Sequence, residues 1–394
     1  MYVTRPLSMY RNFPSSLSIE PQEGPNSGFL VITDEEAEAE DTFCWGACKL
    51  RQVQRLPFPQ DKILSVVHSS DIEETIVTKV LFIPVLDQPL SSNRYYVVRA
   101  NAKYKGQACT SSREMDMGIC CFSNVVNDVK PKPFDHRNIY QQFKIHRHYR
   151  HSFFAKSAAM DGLPPKFLRK KGWELRTSSR LLPTNHLREA LGLDNSLRTL
   201  GPSFNFPITN KRSNSIVVGN WYCPFVFVKE EARRLRHQMK MSVFYKMTLE
   251  QWWEEIGYWE NVNDEDSSVV NVNIDVRREV NSVFGVEAVK EERVDHGGFV
   301  WFRVCERSNR GSVGLSVAIV EKMKWVEEEG GWINGREKEV RVERVEEIRS
   351  TSESGRKRLG CYVLVESFVL RRMDGRLILR CDYRHTHRVQ CKWE

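Results

Sequence analysis

Two rhythms of apolar and polar residues, one strand-like and one helix-like, alternate along this chain and meet between Ile216 and Asn261. Val217, Val218, Trp221, Phe225, Val226, Phe227 and Val228 form a β-branched and aromatic run of strand length, the pattern of a buried strand. Gly219, Asn220 and Pro224 interrupt it, which predicts either two short strands or one bulged strand near an edge. Beyond Glu230 the spacing lengthens. Ala232, Leu235, Met239 and Val243 recur every three or four residues among arginines and lysines, as in an amphipathic helix. Thr248 and Gln251 then have capping-box spacing, and Leu249, Trp252, Trp253 and Ile256 would share one face of a second helix. The stretch predicts a central strand–helix–helix unit.

Elsewhere the strand rhythm dominates. Residues 76–100 read as a β-hairpin around a polar loop, and Val270, Val272, Ile274 and Val276 alternate with polar residues as in a half-buried strand. Phe299–Val304 is apolar on both faces and is expected to be central. Leu315, Ile319, Met323 and Val326 have helical spacing, stopped by Gly330-Gly331. Near the C-terminus, Cys361–Leu370 and Arg376–Tyr383 flank Asp374-Gly375, a strong hairpin signal. That turn places Leu370 opposite Leu379 and Phe368 opposite Cys381, with His385 and His387 extending the same face. The polar, acidic stretch Asn261–Ser268 is the best candidate boundary. The expected fold class is α+β with largely antiparallel sheets: an N-terminal α+β domain over 1–262 and a smaller β-rich domain over 263–394.

Composition narrows the function classes. The chain has 394 residues and a net charge of +8, a balance that permits contact with anions without requiring it. Its ten cysteines form no CxxC pair; Cys120-Cys121 lies in an apolar run, and Cys44 and Cys48 would share one side of a helix. They are expected to be reduced structural thiols. The N-terminus lacks the apolar core of a signal peptide, and no window is apolar enough for a transmembrane segment. A soluble, intracellular, cytoplasmic protein is expected, with the nucleus as an alternative because of Gly355-Arg356-Lys357-Arg358. The acidic run Asp34–Asp41 reads as a solvated loop or helix start.

Several longer motifs carry a resemblance. MYVTRPLSMY at 1–10, EGPNSGFLVI at 23–32, VLFIPVLDQPLSSNRYYVV at 80–98, NIYQQF at 138–143, DGLPPKFL at 161–168 and VVGNWYCPFVFVKE at 217–230 resemble a plant-specific uncharacterised family, domain of unknown function 1262. The resemblance implies a land-plant source and supplies no reaction, cofactor or catalytic residue.

Candidate chemistry concentrates in one region. No P-loop, GxGxxG, HExxH or GxSxG motif occurs, so no cofactor and no catalytic residue is expected, and an enzyme would need a site dispersed over the fold. From Lys144 to Trp173 there are eight Lys or Arg, three His and the single acid Asp161. Arg147, Tyr149, Arg150, Lys166, Arg169, Lys170, Lys171 and Trp173 mix cations with aromatic rings, a mixture suited to phosphates, an acidic protein surface or another polyanion. The competing reading is a solvated basic loop whose aromatic residues turn into the core. His146, His148 and His151 are weak metal candidates, because Lys144, Arg147 and Arg150 lie between them and repel a cation. The expected role is a non-enzymatic binding protein recognising a protein or an anionic ligand. The alternatives are an enzyme with a motif-free site and a nucleic-acid-associated factor.

Overall fold

Phe244–Val262 is a single strand of 19 residues, so the second helix expected over 248–256 is absent. The reason lies in burial on both faces. Met247, Leu249 and Trp253 point one way, Thr248 and Trp252 the other, and all five are buried. When both faces are apolar, positions i, i+3 and i+4 are as hydrophobic as i+2, and a strand imitates helical spacing. Thr248 and Gln251 form no cap: the Thr248 hydroxyl donates to Glu250 Oε1 at 3.3 Å, and Gln251 is buried in a polar cluster. The first expected helix survives only as Leu235–Met241.

The computed structural model describes the chain apart from residues 44–47, 69–74, 114–116, 121–122, 178–186, 263–268, 306–310, 334, 336 and 348–356. The long strand pairs with Lys357–Arg372, which pairs in turn with Leu377–Trp393. These three strands form the middle of a twelve-stranded sheet. On one side follow Glu279–Val283, Val286–Lys290, Phe299–Val304, Ser312–Ser316 and Val228–Glu230; on the other Ile216–Pro224, Tyr2–Pro6 and Gly28–Ile32. All pairs are antiparallel except Tyr2–Pro6 with Gly28–Ile32. A second, seven-stranded sheet is built from residues between Gln52 and Thr177. The α+β expectation is therefore corrected: the fold is mostly β, with mixed and antiparallel sheets. Its longest helix among the described residues is Val317–Glu329, 13 residues. Strands from both sides of residue 262 are hydrogen-bonded along the length of Phe244–Val262.

The seven-stranded sheet is buried on both faces at its centre. Leu81, Ile83, Tyr96 and Val98 pack into the main core with Tyr2, Phe225 and Phe227. Val80, Phe82, Tyr95 and Val97 face a second cluster with Phe58, Phe153 and Trp173. In the C-terminal hairpin Leu370 lies opposite Leu379 and Phe368 opposite Cys381 as expected, reached through a register shift after Arg371, which lies opposite Leu377. Phe299–Val304 is flanked on both sides, and Val269–Arg277 pairs with Glu339–Glu347 as a separate ribbon. Ile216–Pro224 carries a bulge between Val217 and Gly219, yet it is an inner strand and not an edge. Cys44, Cys121 and Gly355-Arg356 lie outside the described residues.

The double-faced burial of the long strand has a measurable consequence. Leu249→Ala removes a fully buried side chain from the main core and is expected to cost about 2–5 kcal/mol in chemical denaturation. Val345→Ala, at a position 67% exposed, is expected to cost about 0.5 kcal/mol or less. Equal effects would show that the strand is not core.

Candidate functional site

The basic stretch singled out in the sequence folds into the edge of the seven-stranded sheet. Gln142–Arg147 pairs with Phe153–Ser157 on one side and Arg94–Arg99 on the other. Phe143, Ile145, Phe153 and Ala155 alternate into the second core, which drives Lys144, His146, Phe154 and Lys156 onto the opposite face. Register then sets Lys144 directly opposite both Lys156 and Arg94, a row of three cations across three strands. Like charges directly opposite destabilise a sheet by about 0.2–1 kcal/mol per pair. No described carboxylate lies within ion-pairing distance of any of the three. Beside the row His146 stacks on Phe154 at 5.0 Å, and Lys171 Nζ lies 5.5 Å from the Phe154 ring. Desolvation, with Lys156 and Lys144 adding, lowers the His146 pKa, so this imidazole resists becoming a further cation.

The candidates named from sequence part company here. Lys171 belongs to this face, and Tyr149, 71% exposed with Arg150 over its ring, sits at the hairpin turn beside it. Arg147 points away and lines a cleft of about 330 Å³ with Tyr10, Arg11, Arg55 and Leu56. Arg169 is ion-paired with Asp128 at 2.9 Å, whose carboxylate also accepts the Lys166 backbone N–H. Lys166 and Lys170 are exposed. Trp173 is fully buried, its indole N–H donating to the Leu168 carbonyl at 2.9 Å, so it serves the core. His148 and His151 are exposed, and neither joins a described group of three ligand donors. Sequence reading named none of Arg94, Lys144 and Lys156 as a binding residue, because only the strand register brings the three together.

A second constellation is wholly buried. Where the helix Asn195–Leu200 meets the main sheet, Arg198 Nε donates to Glu366 Oε1 at 2.8 Å and Nη2 to Oε2. Its Nη1 donates to the Val326 carbonyl at 2.7 Å. Gln251 Nε2 donates to Glu366 Oε1 at 2.6 Å. His385 Nε2 stands 3.2 Å from Glu366 Oε2 and 3.6 Å from Glu327 Oε2. The last separation is too long for a hydrogen bond, and both Glu327 oxygens lack a donor. Burial pushes the Glu327 carboxyl up to about 7, with Glu366 adding to the rise and His385 opposing it. Burial opposes charge on Glu366 as well, yet Arg198 and His385 hold it well below the usual carboxylate range. His385 is desolvated, but Glu327 and Glu366 hold its proton and raise its pKa.

Glu327, Glu366 and His385 place three metal-capable donors within 4.8 Å of one another. A metal fits this set poorly. Arg198 already occupies both Glu366 oxygens, and His385 Nδ1 lacks the acceptor that normally orients a ligating imidazole. Charge decides the matter: one proton brings Arg198, two carboxylates and His385 to neutrality, whereas a divalent cation leaves a buried positive charge. The cluster is a proton-sharing network. With each residue at 5% exposure or less, it offers a substrate no access. A cavity of about 260 Å³ near His387, lined by Thr199, Leu200, Trp253, Leu364 and Arg388, does not reach it.

Comparison with known proteins gives a partial family match and a distant structural similarity. The family model described as a protein of unknown function, DUF1262, matches residues 23–122. That is about a quarter of the chain, and it supports kinship with an uncharacterised domain family over that segment. No curated protein matches significantly. Among solved structures, the crystal structure of Cry35Ab1 is similar at a TM-score of 0.48 and 11% sequence identity, covering 85% of this chain and 90% of that one. No helix among the described residues is long and apolar enough to cross a membrane.

The proton-sharing network makes stability depend on pH. Glu327 and His385 titrate near 4.5 and 6.5 when unfolded, and both pKa values are raised in the fold. Their contribution is fully present below those unfolded values and is lost as pH rises through the folded ones. Glu366 works oppositely: its lowered pKa stabilises the fold above 4.5 and the effect fades as pH falls. Stability is expected to decline as pH rises from about 4.5 through about 7, where buried Glu327 gives up its proton, with the His385 contribution lost above 6.5, in all on the order of 1–3 kcal/mol. Glu327→Gln should flatten that decline while leaving in place the loss below pH 4.5 that belongs to Glu366. An equally steep decline in the variant would assign the pH dependence to other groups.

Proposed function

We propose that this chain is a binding protein, and that the outer face of Gln142–Arg147 and Phe153–Ser157 recognises an anionic partner, an acidic protein segment or another polyanion. The row Arg94, Lys144 and Lys156 carries this reading. Three cations at neighbouring strand spacings of about 4.8 Å repel one another, and a ligand bearing several negative charges relieves that repulsion. His146, Phe154 and Lys171 continue the face with flat surface and a further charge, and Tyr149 with Arg150 extends it at the turn. A cytoplasmic or nuclear setting and a land-plant source are the expectations that accompany this reading.

The face is tested by a salt titration of binding to a heparin fragment and to single-stranded RNA, with Lys144→Ala/Lys156→Ala as the variant. The unaltered chain should bind the probe that mimics its partner in a salt-dependent way. The double variant should lose at least tenfold in affinity, and with RNA its log–log salt slope should shrink by about 1.4. Preference for RNA over heparin would assign the face to nucleic acid rather than an acidic protein. Lys156→Glu creates an opposite-charge pair with Lys144, so it should weaken binding while raising stability by about 0.2–1 kcal/mol. Binding that ignores all three substitutions, or no binding to either probe, would overturn the proposal.

A further inference from the structure

The strands Lys357–Arg372 and Leu377–Trp393 do not keep one register. From Leu370 opposite Leu379 to Leu364 opposite His385 the ladder advances regularly, and then Val363 lies opposite Val389, so Thr386, His387 and Arg388 bulge out. Beyond the bulge only the five pairs from Val363–Val389 to Leu359–Trp393 hold the outer end of the ladder. That end supports the ribbon of Val269–Arg277 and Glu339–Glu347, whose Val272 packs on Leu359 and Cys361, with Ile274 beside them.

At the middle of those five pairs Cys361 lies directly opposite Cys391, and their sulfurs are 2.8 Å apart. Cross-strand partners have Cα separations of about 4.5–5.5 Å, inside the range a disulfide spans without backbone movement. Cys361 is fully buried and Cys391 half-buried, so one sulfur is reachable from solvent and the other only through it. Cys109, Cys223 and Cys381 are buried, and Cys305 is exposed.

We propose that Cys361 and Cys391 form a reversible cross-strand disulfide, an oxidation site that fastens the outer end of the ladder beneath the ribbon. The oxidant is a low-molecular-weight disulfide of the glutathione class. Cys391, the accessible sulfur, attacks one sulfur of that disulfide as its thiolate, breaking the S–S bond and releasing one external thiolate that takes up the proton Cys391 gave. Cys361 then attacks Cys391 Sγ, breaking the mixed disulfide and releasing the second external thiolate, which takes the Cys361 proton. Two protein thiols lose two electrons and two protons, and the external disulfide becomes two thiols. Cys361 suits the second step by position: its sulfur lies 2.8 Å from Cys391 Sγ, opposite it in the ladder. Ring closure spans the bulge and both strands, and removes freedom chiefly from the unfolded chain.

The test uses the full chain treated with oxidised glutathione or with dithiothreitol, followed by non-reducing peptide mapping. The oxidised sample should yield a peptide linking Cys361 to Cys391, lighter by two hydrogens than the sum of its parts. Its melting temperature should rise by a few degrees and return on reduction. Cys391→Ser should abolish both the linked peptide and the shift, whereas Cys305→Ser, at an exposed thiol, should leave both intact. The proposal fails if both cysteines are recovered singly alkylated after oxidation, if either is linked instead to another cysteine, or if Cys391 stops at the glutathione adduct. Because the mapping is done on the unaltered chain, it stands even where a variant does not fold.

Discussion

Two bidentate arginine–glutamate pairs, buried at separate points of the central ladder, are the interactions on which the rest of this fold depends. Arg198 grips Glu366 in mid-strand, and Arg372 grips Glu230 near the hairpin turn, where the Tyr245 hydroxyl donates to the same carboxylate at 2.6 Å. Each joins residues far apart in the chain: Glu230 stands in the strand at one sheet edge, and Arg198 in the helix Asn195–Leu200. Removing one partner of such a pair strands an uncompensated charge, at about 3–5 kcal/mol. The ladder itself supplies the apolar faces, and the pairs determine which segments may cover them.

This arrangement also explains the proton-sharing network. Glu366 needs Arg198 to stay ionised in the interior, and once that pair is neutral a second carboxylate can enter only with a proton. Glu327, delivered by the helix Val317–Glu329, brings that requirement, and His385 meets it from the neighbouring strand. The helix is thereby held by chemistry as well as by Ala318, Ile319, Met323 and Val326 in the core.

How much of this was legible in the sequence follows from the range of each interaction. The Asp374-Gly375 hairpin, the alternation of Val270 to Val276 and the helix ending at Gly330 are local patterns, and they read through. The strand Phe244–Val262 did not, because tryptophan, methionine and leucine on both of its faces erase the period of two that marks a half-buried strand. With it went the α+β assignment. The cation row was not legible: Lys144 marked only the start of a basic stretch and was no binding candidate, and bringing it to Arg94 and Lys156 takes the register of three strands. Trp173 illustrates the opposite error, a ring that looked like surface chemistry and is core. Arg198, Glu327 and Glu366 carried no sequence signal, since pairs separated by up to 168 residues leave no spacing to recognise, and His385 was legible only as a continuation of the hairpin face.

We propose that one ladder, Phe244–Val262 with Lys357–Arg372 and Leu377–Trp393, joins the described residues on both sides of 262 into a single cooperative structure. Native-state hydrogen exchange tests it most directly. Backbone amides paired in Phe244–Val262 and Lys357–Arg372 are expected to exchange together, only through global unfolding, and to lose protection in step when Glu366→Gln weakens the buried pair. Amides beyond residue 263 that open at a distinctly lower free energy than Phe244–Val262 would contradict the account, and would show two units that merely adjoin.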